Sequence, residues 1–158
     1  MKKGVTLVEL IAVMAVLGLL FSASYLVMNV YTNKQNARDV KRLSDISTID
    51  EAVNEYLLTN SDYPDLENTL RISTVIPEGS ISLDNASGSW IAENLSPFLS
   101  RMPIDPLNDS EHFYSYINNG NSYELNVFLE SMEDKMTEDG GNDPHMYEIG
   151  NNLNLISP

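Results

Sequence analysis

From Leu10 to Asn33 the chain runs for 24 residues without a charge. As an α-helix at about 1.5 Å per residue, this stretch is about 36 Å long, more than the roughly 30 Å of a bilayer's hydrocarbon core. It is mainly Leu, Val, Ala, Met and Ile, with one interior glycine, Gly18, and no proline. A backbone in an apolar medium must pair its own N–H and C=O groups, and a single segment can do so only as a helix.

Nothing in the sequence stops that helix where the apolar run ends. In "KQNARDVKRLSDISTIDEAVNEYLLTNSDYP" apolar residues recur at Val40, Leu43, Ile46, Ile49, Val53 and Tyr56/Leu57. Spacings of three and four make one face of a helix. No Gly or Pro interrupts the run before Pro64, and Asn60, Ser61 and Asp62 supply stop and turn chemistry. The pattern predicts one helix from about Val5 to about Thr59, on the order of 80 Å long. Residues 5–33 form its transmembrane half. Residues 34–60 form an amphipathic half that must pack on something.

Residues 61–112 read as a connecting region. "PEGSISLDNASGSW" has the composition of a loop. Trp90, Ile91, Leu95, Phe98 and Leu99 then fall at helical spacing and predict a short helix near 90–100, with Trp90 as a core anchor. Residues 113–158 read as an antiparallel sheet and a C-terminal tail. Two runs rich in aromatic and β-branched residues flank Asn118-Asn119-Gly120-Asn121, and Asn-Gly in that setting signals a hairpin. Tyr123, Leu125, Val127 and Leu129 alternate with Glu124, Asn126, Phe128 and Glu130, which is the period of a strand. "MYEIG" supplies a third strand, with room for a fourth at an edge. The fold class is α+β, with the amphipathic half-helix packed on the apolar face of the sheet.

The net charge of −14 is unevenly spread. Residues 1–42 hold six basic and two acidic residues, whereas 43–158 hold three basic and twenty-one acidic. An acidic body repels phosphates, so no nucleic-acid partner is implied. There is no cysteine, which excludes disulfides and thiol chemistry. The two histidines, His112 and His145, each sit in an acidic loop. With no phosphate-cradling glycine loop and no zinc-protease motif, the sequence does not read as an enzyme. Calcium is the one cofactor to weigh. Asp105, Asn108 and Asp109 cluster before the hairpin, and Asp139, Asn142 and Asp143 cluster after it. Neither cluster has EF-hand spacing, and Asp, Asn and Gly are also turn formers. Asp139 and Asp143 are the calcium candidates.

Glu9 sits near the start of the apolar stretch, where a charge at bilayer depth costs roughly 3 kcal/mol. A plain anchor has no use for it. A cleaved secretory signal would place a cut after "SAS" at 22–24 and begin the mature chain at Tyr25, but the apolar run continues past that site. Lys2-Lys3-Gly4 followed by Val5-Thr6-Leu7-Val8-Glu9-Leu10 resembles the prepilin peptidase motif of type IV pilins and type II secretion pseudopilins. The resemblance implies that residues 1–4 are a leader peptide, cut between Gly4 and Val5 on the cytoplasmic side. Val5 then becomes the N-methylated residue and Glu9 the assembly glutamate, which pairs with a neighbouring subunit's amine. Two features depart from the family pattern: Val5 stands where Phe is usual, and no proline interrupts the helix. Asp105-Pro106 matches the pseudopilin's Asp-Pro before the first strand. The calcium loop of major pseudopilins is not clearly matched, although "EDGGNDP" lies in the corresponding region.

The resemblance implies a structural subunit of a type IV pilus or a type II secretion pseudopilus. Its partners would be copies of itself, prepilin peptidase, an inner-membrane assembly platform, minor pilins and the membrane. It would sit as a single-pass protein of the cytoplasmic membrane before joining a cell-surface or periplasm-spanning filament. The alternative is a membrane-anchored extracytoplasmic binding module that does not polymerise. Lys34, Arg38, Lys41 and Arg42 form a second basic cluster, expected to meet the acidic head of an adjacent subunit.

Overall fold

The computed structural model describes residues 6–158, leaving out the side chains at positions 23, 25, 26, 27 and 29. One helix, α1, spans Leu7–Asn60, 54 residues without a break. Thr6 caps its start. Ser61 ends it in the left-handed conformation (φ 61°), and its N–H donates to the Leu57 carbonyl at 2.8 Å. Counted over the described residues alone, no helix is long and apolar enough to cross a membrane, and the expected span at 5–33 runs through positions outside that count.

The head is a four-stranded antiparallel sheet in sequential order: β1 (Arg71–Ile72), β2 (Tyr114–Asn118), β3 (Tyr123–Val127) and β4 (Tyr147–Gly150). The β2–β3 hairpin turns at the expected Asn-Gly. Asn119 N–H donates to the Ser122 carbonyl at 3.0 Å, and Gly120 takes φ +79°, where a side chain would collide with the Glu67 carboxylate. β1 is the fourth, edge strand that the sequence left room for, at a place the sequence did not indicate. It lies inside the connecting region and exists through pairing, with Arg71 opposite Tyr116 and Ile72 opposite Ser115.

Ile46, Ile49, Ala52 and Val53 of α1 pack on Tyr114, Tyr116, Leu125 and Val127 of the sheet's inner face. Val40, expected to lead that stripe, stays exposed, and Asp39 takes the buried face instead. Tyrosine hydroxyls meet the polar residues on the helix face. Tyr114 donates to Asp45 at 3.0 Å, and Tyr123 donates to Asp50 and accepts from Asn54. Burial and these carboxylates raise both phenols above their ordinary range.

Trp90, Ile91, Leu95, Leu99 and Met102 close the core from the connecting region. Trp90 is the expected anchor, fully buried with Nε1 donating to the Pro103 carbonyl at 2.9 Å. The expected helix at 90–100 is corrected to a series of turns, with a single turn at Leu95–Leu99. Pro97 removes a donor, and the Asn94 side chain takes the Ser96 N–H that a helix would use. A short helix not foreseen, α2 (Glu133–Thr137), is anchored by buried Met136.

The outer face of the sheet is polar yet buried. All five residues of β3 are buried, Glu124 and Asn126 included. The loop after α2 and the C-terminal tail lie against that face. Replacing Ile49 with Ala removes side-chain volume where helix and sheet meet, and should lower stability by about 3 kcal/mol in denaturant unfolding.

Candidate functional site

Two regions carry what the fold can do: the free end of α1, and the point where α1 is fixed to the head. At the free end, Thr6 and Glu9 form a capping box. Glu9 N–H donates to Thr6 Oγ1 at 3.2 Å, while Glu9 Oε2 accepts from the Thr6 N–H and hydroxyl, both at 2.9 Å. Each satisfies groups the first helical turn leaves open, and a carboxylate there suits the helix dipole. Gly4 and Val5 lie outside the described residues. Beyond the cap, every described residue from Thr6 to Lys34 is exposed, including Ile11, Leu19 and Phe21. A shaft apolar on all sides, with no partner in its own subunit, calls for lipid or other helices around it.

At the fixed end, Arg42 is completely buried. Its Nε and Nη2 donate to Asp105 Oδ2 and Oδ1 at 2.6 and 3.2 Å. Its Nη1 donates to Asp39 Oδ1 at 2.9 Å and to Glu130 Oε1 at 2.7 Å. Arg38 grips Glu130 with Nε, at 2.6 Å, and Nη2. Asp39 in turn accepts the N–H groups of Glu130 (2.9 Å) and Ser131 (2.7 Å). Burial opposes the charge on Arg42, but hydrogen bonds to Asp105, Glu130 and Asp39 outweigh it and raise its pKa. Glu130 is held well below the usual carboxylate range, at about 2, first by Arg38 and then by Arg42, with burial opposing both.

The expectation for the basic cluster is therefore corrected at Arg42 alone. Arg42 spends its donors inside its own subunit and has no surface with which to reach another, while Arg38 is held by Glu130 and stays partly exposed. Lys41 pairs with Asp45 one turn along, and Lys34 remains exposed on the shaft. The carboxylates of this network went unrecognised in the sequence. The signal was present: Asp39, Arg42, Ile46, Ile49 and Val53 share the three-and-four spacing of the buried stripe.

The acidic clusters are engaged in hydrogen bonds of their own. Asp105 is taken by Arg42, Asn108 Oδ1 accepts from Ser73 Oγ, and Asp109 pairs with His112 Nδ1 at 2.9 Å. Asp139 accepts the N–H groups of Gly141 (2.9 Å) and Glu148 (2.7 Å), and Asp143 accepts that of His145 (2.9 Å). Both carboxylates shape turns by accepting backbone N–H groups. Among the described residues no three His, Asp or Glu side chains converge to hold a metal.

A long helix with an exposed apolar shaft, capped by Thr and Glu and clamped to a small antiparallel head, defines a pilin-type filament subunit. Residues 1–25 match the family model "Prokaryotic N-terminal methylation motif", and residues 29–148 match "Type II secretion system (T2SS), protein G". The chain is 30% identical over 125 residues to type II secretion system core protein G of Vibrio cholerae serotype O1, covering 79% of this chain and 77% of that one. The protein of the same description from Pectobacterium carotovorum subsp. carotovorum is 30% identical over 127 residues, 80% of this chain and 74% of that one. That from Pseudomonas aeruginosa is 27% identical over 150 residues, 95% and 94% of the two. No solved structure matches significantly. The chain belongs to the type II secretion system protein G family, the pseudopilin side of the two filament types its opening motif resembles.

Arg42→Met removes the charge that joins Asp39, Asp105 and Glu130, and should destabilise the head by about 3–5 kcal/mol. Acid should act through Glu130. Its folded pKa of about 2 lies below the ordinary 4.5, so its contribution is present above about pH 4.5 and lost as pH falls towards 2. Glu130→Gln should flatten that part of the acid unfolding profile followed by circular dichroism.

Proposed function

We propose that this chain is a structural subunit of a type II secretion pseudopilus, cut between Gly4 and Val5, methylated at Val5 and polymerised through α1. The observation that carries the reading is the contrast between the two halves of the helix. From Asp39 onward the buried face finds its apolar and ionic partners within the head. From Leu7 to Tyr31 the apolar side chains that the structure describes find none. Lipid surrounds that shaft before assembly, and the shafts of other copies surround it afterwards.

Glu9 sets the register. Its carboxylate accepts from Thr6 and keeps lone pairs for a further donor. Once the leader is gone, the Val5 amine of a neighbouring copy is that donor, and an unpaired carboxylate among apolar shafts is costly enough to select the paired arrangement. Prepilin peptidase makes the cut. An inner-membrane platform moves the subunit from the cytoplasmic membrane into a periplasmic filament, and minor pilins accompany it. The role is mechanical and no catalytic step is assigned.

Mass spectrometry of the mature protein should find a chain beginning at methylated Val5. A chain beginning at Tyr25 would contradict the pathway. Glu9→Ala should abolish filaments in a pseudopilus assembly assay while leaving the melting temperature of the head unchanged, because the Glu9 side chain is exposed and, among the described residues, bonds only to Thr6. Filaments of normal abundance from the variant would remove Glu9 from assembly.

A further inference from the structure

The β2–β3 hairpin turns on Asn119-Gly120, the one Asn-Gly pair in the chain. That dipeptide carries a chemistry of its own. The Gly120 nitrogen is a nucleophile with no Cβ beside it, and the Asn119 carboxamide carbon is an electrophile in the residue before. The Asn119 side chain is placed for their meeting. Its Oδ1 accepts the N–H groups of Asn121 (3.1 Å) and Ser122 (2.8 Å) and the Ser122 hydroxyl (2.9 Å). A side-chain oxygen that reaches two and three residues ahead folds its own carboxamide over the nitrogen in between, and reacting groups held together need little further ordering. Among the described residues Asn119 Nδ2 donates to nothing, so the side chain serves the turn as an acceptor. The nucleophile, by contrast, is restrained. Gly120 N–H donates to Asn118 Oδ1 at 3.0 Å. Asn118 is 1% exposed. Its Nδ2 donates at 3.0 Å to the Pro64 carbonyl, which also accepts from the Tyr116 hydroxyl at 2.9 Å. Its own carbonyl accepts the Asn68 N–H at 2.6 Å. Asn118 is thus fixed through both side chain and backbone, and it fixes the Gly120 N–H in turn.

We infer that Asn119 is a site of spontaneous conversion to aspartate, gated by the hydrogen bond from Gly120 to Asn118 and accommodated afterwards by the same turn. When the Gly120 N–H leaves Asn118, the Gly120 nitrogen attacks Asn119 Cγ. The new C–N bond closes a five-membered imide, the Cγ–Nδ2 bond breaks, and ammonia departs with the Gly120 proton. Water then opens the imide. Attack at Cγ breaks the new bond and leaves aspartate. Attack at the Asn119 main-chain carbonyl carbon leaves isoaspartate, whose backbone is one atom longer. Water is the only co-reactant. Aspartate keeps the turn, because one carboxylate oxygen accepts everything that the carboxamide oxygen accepts now, and donors bond a charged oxygen more strongly than a neutral one. The like charge it must tolerate is Glu67, whose carboxylate lies against Gly120.

Peptide mapping of the full chain, kept folded in detergent micelles at mildly alkaline pH for weeks, reads the conversion at each asparagine and separates aspartate from isoaspartate. Asn119 should convert first. Asn118→Ala frees the Gly120 N–H and should speed that conversion on the order of tenfold, the weight of one hydrogen bond. Hydrogen exchange at the Gly120 amide should quicken by the same factor, since both reactions wait on the same release. A purely structural Asn118 would change the exchange and leave the conversion where it was. Asn119→Asp should melt at the wild-type temperature, whereas Asn119→Ala leaves three donors unmet and should melt roughly 5 °C lower. Should Asn118→Ala not fold, the wild type in sub-denaturing urea decides: conversion at Asn119 should rise in step with Gly120 exchange. Conversion that starts at another asparagine would overturn the proposal. So would a conversion rate that ignores Gly120 exchange, or an Asn119→Asp chain as unstable as Asn119→Ala.

Discussion

A guanidinium with no exposed surface tolerates only one kind of surrounding: a carboxylate or carbonyl at each group of donors. Arg42 is in that position, and its carboxylates come from three separate parts of the chain. Asp39 lies one turn back on α1, Asp105 in the loop before β2, and Glu130 just beyond β3. The charge can be buried only when all three arrive together. That condition fixes both the rotation and the axial position of the helix against the sheet. Ile46, Ile49 and Val53 then face the strands, and Asp45 and Asp50 come within reach of Tyr114 and Tyr123. Apolar packing supplies the larger share of the stability, since buried ion pairs gain little over apolar substitutes. What the network adds is a single register for a helix that would otherwise slide along a greasy seam.

That dependence explains which parts of the molecule were legible in the sequence. The length of α1, its end at Ser61, the Asn-Gly hairpin, the strands after residue 113 and the Trp90 anchor all rest on local pattern, and they stand as read. β1 has two residues, too few for any period, and is defined by β2 alone. The apolar spacing at 90–99 imitates a helix, but Pro97 and the Asn94 side chain settle the backbone as turns. α2 reads as a polar loop because only Met136 is buried. The end of α1 that bears Glu9 could be picked out from motif and charge. The clamp could not, because basic residues on a helix are ordinarily solvent-facing, and their acidic partners lie far away in sequence.

The polar outer face shows the same physics with the signs reversed. Where Arg42 is enclosed by carboxylates, Glu124 and Glu148 are enclosed by N–H donors, and neither cluster reaches the other. The head thus carries two separate buried charge systems, one binding shaft to sheet and the other binding tail to sheet. Both draw on residues more than twenty positions apart, so both form late, after the sheet has set the spacing between its strands. The strand alternation at 123–130 contains both ends of this arrangement. Its apolar set turns to the helix, its polar set lies under the tail, and Glu130, just beyond the strand, turns back to Arg38 and Arg42.

The shaft solves a narrower problem. Serine and threonine hydroxyls must not stand unpaired among apolar neighbours, and those of Ser22, Ser24 and Thr32 each donate to a carbonyl four residues back: Ser22 to Gly18 at 2.9 Å, Ser24 to Leu20 at 3.0 Å, and Thr32 to Met28 at 3.2 Å. Such back-bonding also loosens the ladder and favours a slight bend. With no proline before Pro64, the adjacency of Gly18, Ser22 and Ser24 marks the segment where α1 yields most readily when packed against its copies. A helix built this way accommodates curvature over a full turn rather than at a kink.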